Sequence, residues 1–169
     1  MATKTERAIA KRSQTQQIMK ELGIPLWIVW TEDNEAEKNH LPLIGAPEGA
    51  ARRAYVITPE QAISFCFHTE AKKQPEYGFT LVETDRDVLT PLVERLGEFV
   101  DLSSKTRIAL NYSHDFGMID TLGHGNYSKI SRALCQKYST LHETAFVSAE
   151  DIIISAASAK LPEEISLLK

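Results

Sequence analysis

The stretch that decides the fold is Leu26-Trp27-Ile28-Val29-Trp30 (LWIVW, residues 26–30). It is an unbroken apolar run rich in β-forming side chains, bounded by Gly23 and Pro25 on one side and by polar residues on the other. Such a run reads as a strand covered on both faces, which places it inside a sheet rather than at its edge. Trp27 and Trp30 differ by three positions, so a regular strand sends them to opposite faces, each as a core residue.

Working outward, Thr3 and Glu6 have capping-box spacing, and nothing breaks a helix from there to Leu22, where Gly23 and Pro25 end it. That helix is only weakly amphipathic: Ile18 and Leu22 share a face with Ala and Gln. Its basic residues, from Lys4 to Lys20, read as a solvated face. Downstream, AYVIT and AISFCF are two strands joined by a tight turn at Pro59, and FTLVE (79–83) is another strand. Leu89, Leu92, Val93, Leu96 and Val100 give helical spacing, with Asp87 or Thr90 as the cap. RIALNY (107–112) is a strand, and Tyr127, Ile130, Leu134 and Tyr138 mark a helix. AFVS is a short extended piece before a helix, capped by Ser148 and Asp151, that carries Ile152, Ile153 and Ile154. Interspersed strands and helices predict an α/β fold: a mixed β-sheet with helices on both faces.

Composition narrows the function. The chain has 169 residues, 43% of them hydrophobic and 25% charged, which suits one globular domain with a real core. The net charge of −4 argues against a nucleic-acid surface, and no apolar run reaches the length of a membrane span. No signal segment is read at the N-terminus, and Cys66 and Cys135 read as buried thiols, so the expected location is the cytoplasm. The sequence holds no Walker loop, GxGxxG, HExxH, CxxC or GxSxG. GAPEGAA (45–51) reads as a turn-rich loop, and Arg52 and Arg53 as a solvated strand start. The one titratable constellation is His114, Asp115, Asp120 and His124, which could bind a metal or form a His–Asp base; its spacing matches no compact ligand signature.

The order of LPLIGAPEGAARRAYVITPE, TPLVERL, RIALNYS, LGHGNYSKI, FVSAEDIII and AKLPEEISLLK resembles the N-terminal domain of the creatinase / Xaa-Pro aminopeptidase (prolidase-like) family, from about Arg12 to Lys169. The resemblance implies a ribonuclease-H-like α/β domain over 1–160. Residues 161–169 would begin a linker helix, with Pro162 in its first turn and Glu163 and Glu164 at its positive end. It further implies a following pita-bread catalytic domain, outside this chain, that holds two divalent ions (Mn, Co or Zn). No ligand or catalytic residue carries over to a position here, and no cofactor is expected in this chain. The implied role is non-catalytic: homodimerisation and restriction of substrate access. Leu43 and Ile44, with Tyr77 in second place, would form the rim of a substrate mouth. The expected partners are a second copy and the catalytic domain, with no nucleic acid and no membrane. Two other readings stand beside this one: a free-standing interaction module without a catalytic half, and a small metal-dependent hydrolase using His114, Asp115 and His124.

Overall fold

A computed structural model describes residues 2–32, 39–47, 52–73, 75–113, 115–161 and 165, with the side chains of 70, 72 and 73 excepted. Helix α1 (Lys4–Leu22) leads into strand β1 (Leu26–Thr31). A 3-10 turn at Leu41–Ile44 follows, then β2 (Arg53–Ile57), β3 (Ala62–Phe67), β4 (Thr80–Thr84) and α2 (Leu89–Phe99). The chain continues through β5 (Ile108–Leu110), α3 (Gly123–Lys137), β6 (Phe146–Ser148) and α4 (Glu150–Ser158). The six strands lie in the order β4-β3-β2-β1-β5-β6. β2 is antiparallel to both β1 and β3, whereas β1/β5, β3/β4 and β5/β6 are parallel.

LWIVW is therefore a central strand, and every residue of β1 is buried. Its two tryptophans separate as the alternation requires. Trp30 joins Leu26, Ile28, Phe65 and Val82 in a core completed by Leu92 and Leu96 of α2 and by Ile130 and Leu134 of α3. Trp27 faces the other way, with Val29 and Tyr55, into a core closed by Met19 of α1, the Leu41–Ile44 turn, and Ile152 and Ala156 of α4. Helices thus cover both faces of a mixed sheet, as expected from the sequence.

Local signals explain the element ends. Thr3 Oγ1 accepts from the Glu6 amide at 3.1 Å while Glu6 accepts from the Thr3 amide at 2.7 Å, and Gly23 ends α1 in the left-handed conformation (φ 62°). The open choice at α2 resolves to Asp87, whose Oδ1 accepts from the Thr90 amide at 2.7 Å. The Ser148 hydroxyl accepts from the Glu150 amide at the start of α4. Between β2 and β3, Thr58 Oγ1 accepts from the Glu60 and Gln61 amides and shapes the turn around Pro59.

Two expectations about basic residues are corrected. The α1 cations are not all solvated: Lys11 and Arg12 are buried, alongside Thr15 and Met19. Arg12 lies over the Phe79 ring, 4.5 Å from its centroid, and donates to the Tyr77 carbonyl at 2.8 Å. Its burial lowers the guanidinium pKa from the ordinary value. Arg53 is buried as well, with Nη1 donating to the Tyr55 hydroxyl. The stems pack against apolar neighbours and the hydrogen bonds of the head groups replace water, so periodicity of apolar residues alone could not reveal the buried face of α1.

Candidate functional site

The parallel strands β1, β5 and β6 bring their carboxyl ends to one side of the sheet, the position where open α/β sheets leave a crevice. A cavity of about 320 Å³ lies there, lined by Tyr112, Ser113, Asp120, Gly123, His124 and Tyr127. Its loop is closed at the base by Asn111, whose backbone carbonyl accepts from the Thr121 and Leu122 amides. Ser113 Oγ accepts from the Asp115 and Phe116 amides and donates to Glu150 Oε2 at 2.7 Å, tying the loop to the first turn of α4. Tyr112 and Tyr127 meet edge to face, with centroids 5.0 Å apart. Burial raises the pKa of both phenols, so both stay protonated near neutral pH. Phe116 and Met118, at 52% and 77% exposure, stand out from the same loop.

Of the titratable constellation, Asp120 and His124 line this cavity. Asp115 is exposed on the loop outside it, and His114 lies outside the described residues. Among the described residues, no three of His, Cys, Asp and Glu come together as a metal-holding group. Ser113 spends its hydroxyl on the loop and Glu150, and His124 Nε2 lies 3.5 Å from Ser128 Oγ. The cavity offers aromatic walls and hydroxyl, carboxylate and imidazole groups that can hold a small polar group; the short Ser113–Glu150 bond ties the loop to α4, and the Ser128–His124 contact is long.

The three rim residues part company. Ile44 is fully buried against the sheet, a core position. Leu43 is 7% exposed and Tyr77 half-buried, and these two line a second cavity of about 430 Å³. That cavity lies between α1, the Leu41–Ile44 turn and the end of α4. The turn is drawn inward by Thr15 Oγ1, which donates to the Leu43 carbonyl at 2.6 Å. Gly45 (φ 60°) passes so close to α1 that a Cβ there would lie 2.1 Å from the Ala8 carbonyl oxygen.

The sequence reading missed a buried polar chain linking the two loops. Trp27 Nε1 donates to Asn111 Oδ1 at 2.6 Å, and Asn111 Nδ2 donates to His40 Nδ1 at 2.8 Å. Thr121 Oγ1 lies 3.4 Å from the same imidazole nitrogen. His40 is 2% exposed, and its burial lowers the imidazole pKa against an opposing hydrogen bond with the Met118 backbone. The imidazole is thus neutral, accepting through Nδ1. The available signal was a polar residue at each end of an apolar run: His40 before LPLI and Asn111 after RIAL.

The fold and these loops define an α/β unit of the architecture present in prolidases. No family model matches the sequence, and no curated protein matches it. Among solved structures, the chain is similar to the prolidase from Pyrococcus horikoshii OT3, with a TM-score of 0.57 and 14% identity over 93% of this chain and 37% of that one. It is also similar to the Xaa-Pro dipeptidase from Bacillus anthracis, with a TM-score of 0.60 and 16% identity over 95% of this chain and 39% of that one. At these identities the likeness is one of fold, and this chain spans less than two-fifths of either structure. The α/β architecture expected from the motif order is the one found. No helix of the described residues is long and apolar enough to cross a membrane.

Proposed function

We propose that this chain is the non-catalytic N-terminal unit of a Xaa-Pro peptidase- or creatinase-like metallohydrolase, working in dimerisation and in limiting substrate access. The observation that carries the reading is the asymmetry of coverage: nearly all of this chain aligns with little more than a third of each prolidase structure. Chemistry in such an enzyme belongs to the remainder. By this reading the two divalent ions, the Xaa-Pro substrate and the cytoplasmic homodimer are properties of the larger protein. The exposed Phe116 and Met118 support a surface that meets another chain, because large apolar side chains adjacent on one loop mark contact sites more than solvent-facing structure. They favour equally a free-standing interaction module, the second reading. With Ile44 in the core, Leu43 and Tyr77 remain as rim candidates.

The test uses the gene product that continues past Lys169. That longer protein should cleave a Xaa-Pro dipeptide with Mn, Co or Zn. Changing Phe116 and Met118 to Ser should weaken its dimer and raise kcat/KM for longer peptides relative to dipeptides. A gene ending at this chain removes the reading in favour of the interaction module. An unchanged oligomeric state and length preference would remove the access role.

A further inference from the structure

The buried chain from Trp27 to His40 runs in one direction. An indole N–H can only donate, so Trp27 fixes the Asn111 amide with Oδ1 toward the tryptophan and Nδ2 toward His40. Nδ2 can only donate as well, so Nδ1 of His40 must present a lone pair. The other ring nitrogen, Nε2, is left to donate to the Met118 backbone carbonyl, a bond that favours the charged ring while burial opposes it. The neutral imidazole with its proton on Nε2 satisfies every atom of the chain.

A proton on Nδ1 breaks this order. It meets the Nδ2 donor of Asn111, and turning the amide over only moves the conflict to the indole N–H. Thr121 Oγ1, 3.4 Å away, is too distant to take the proton in its place. The described elements packed against the ring offer no compensating charge: β1 presents Trp27, the end of β5 presents Asn111, and the loop presents Thr121 and the Met118 backbone. The turn that follows His40 is Leu41-Pro42-Leu43-Ile44, and the loop's carboxylates, Asp115 and Asp120, are exposed. The loop hangs on the same residues. The Asn111 carbonyl accepts from the Thr121 and Leu122 amides, and the Phe116 carbonyl accepts from those of Ile119 and Asp120.

We propose that His40 is a proton-sensitive latch on the loop of residues 115–122: the neutral ring clamps the loop to the ends of β1 and β5, and protonation at Nδ1 releases it, together with Phe116, Met118 and the Asp120 wall of the cavity. A contact made through Phe116 and Met118 is then weakened in acid, whatever chain lies on the other side and whether or not a catalytic unit follows.

Amide exchange of residues 119–122 in the 169-residue chain, corrected for the intrinsic pH dependence of exchange, tests it. A released ring takes up its proton near pH 6.5, so protection of these amides should fall about tenfold between pH 7.5 and about pH 5.5. The amides of α2, on the other face of the sheet, should keep theirs. His40→Gln, whose amide can accept and donate without titrating, should remove the pH dependence. Asn111→Asp sets a carboxylate before both the indole and Nδ1, so the charged ring is held and the loss in acid should disappear. The imidazole 15N shifts should show the neutral Nε2–H ring in the parent at pH 7.5 and the charged ring in Asn111→Asp. Loop protection that does not change with pH in the parent would overturn the proposal, as would a loss shared equally by α2. So would a parent ring with its proton on Nδ1 at pH 7.5, a pH dependence that survives in His40→Gln, or an Asn111→Asp loop that loosens in acid as the parent does.

Discussion

The two faces of the sheet are built by different means. The face under α2 and α3 is closed by aliphatic and aromatic side chains: Leu92, Leu96, Ile130 and Leu134 over Leu26, Ile28 and Phe65. The face under α1 and α4 has an apolar core too, but polar groups hold its covering elements in place. Arg12 grips the Tyr77 carbonyl, Thr15 the Leu43 carbonyl, and His40 and Asn111 bridge to Trp27. The first face relies mainly on shape and volume, with a polar tie at its end where the Tyr138 hydroxyl donates to the Val93 carbonyl and accepts from the Gly97 amide. The second depends on particular atoms, and both candidate cavities involve elements that those atoms hold. The loops around the two cavities are thus positioned by hydrogen bonds, which fix direction in a way that apolar burial does not.

The comparison predicts an order of effects. Leu92→Ala, in the mainly apolar face, should cost about 3 kcal/mol through lost burial and a residual cavity, read as a shift in the urea midpoint at constant slope. Arg12→Met keeps most of the stem but leaves the Tyr77 carbonyl without its donor, and should cost about 2 kcal/mol. A loss for Arg12→Met as large as that for Leu92→Ala would mean that α1 is held chiefly by this one residue. No loss would dissolve the distinction between the faces. Trp27→Phe keeps an aromatic ring but removes the donor to Asn111 and part of the buried volume, for about 2 kcal/mol. Its particular signature should be faster amide exchange at residues 115–122, where a purely apolar loss would leave that loop unchanged.

The smallest effect is a pH dependence. Burial depresses the His40 pKa in the folded state below its unfolded value of about 6.5. Below that pH the unfolded chain binds the proton more readily than the folded one. His40 therefore contributes stability that is present above about pH 6.5 and is lost as pH falls through the unfolded and then the folded pKa. Denaturation midpoints between pH 7.5 and 5 should fall less in His40→Gln than in the parent. Equal slopes would show that the imidazole is not the titrating group.

How much was legible in the sequence follows the same division. LWIVW, the two-tryptophan alternation, the Thr3–Glu6 cap and the α2 spacing could be read because apolar periodicity and local capping encode them directly. The α1 face could not: Lys11, Arg12 and Thr15 look solvent-facing in any hydropathy pattern, and only tertiary partners make them buried: the Ala159 carbonyl for Lys11, the Tyr77 carbonyl for Arg12 and the Leu43 carbonyl for Thr15. Ile44 was misplaced for a related reason. LPLI in a long polar stretch reads as an exposed apolar loop until Gly45 lets the turn fold down against α1. Asp120 and His124, singled out in the sequence as members of a polar cluster, line one cavity because their loop is continuous in sequence, whereas the groove between Lys4 and Lys160 joins distant parts of the chain.

The central claim is that this unit serves a hydrolase without doing hydrolysis. The direct test is a Xaa-Pro dipeptide incubated with the pure 169-residue chain and Mn, Co or Zn in turn, with release of proline measured against a blank. The account predicts no turnover with any of the three. Metal-dependent turnover that Asp120→Asn or His124→Ala abolishes would contradict it and make the cavity beside Ser113 an active site.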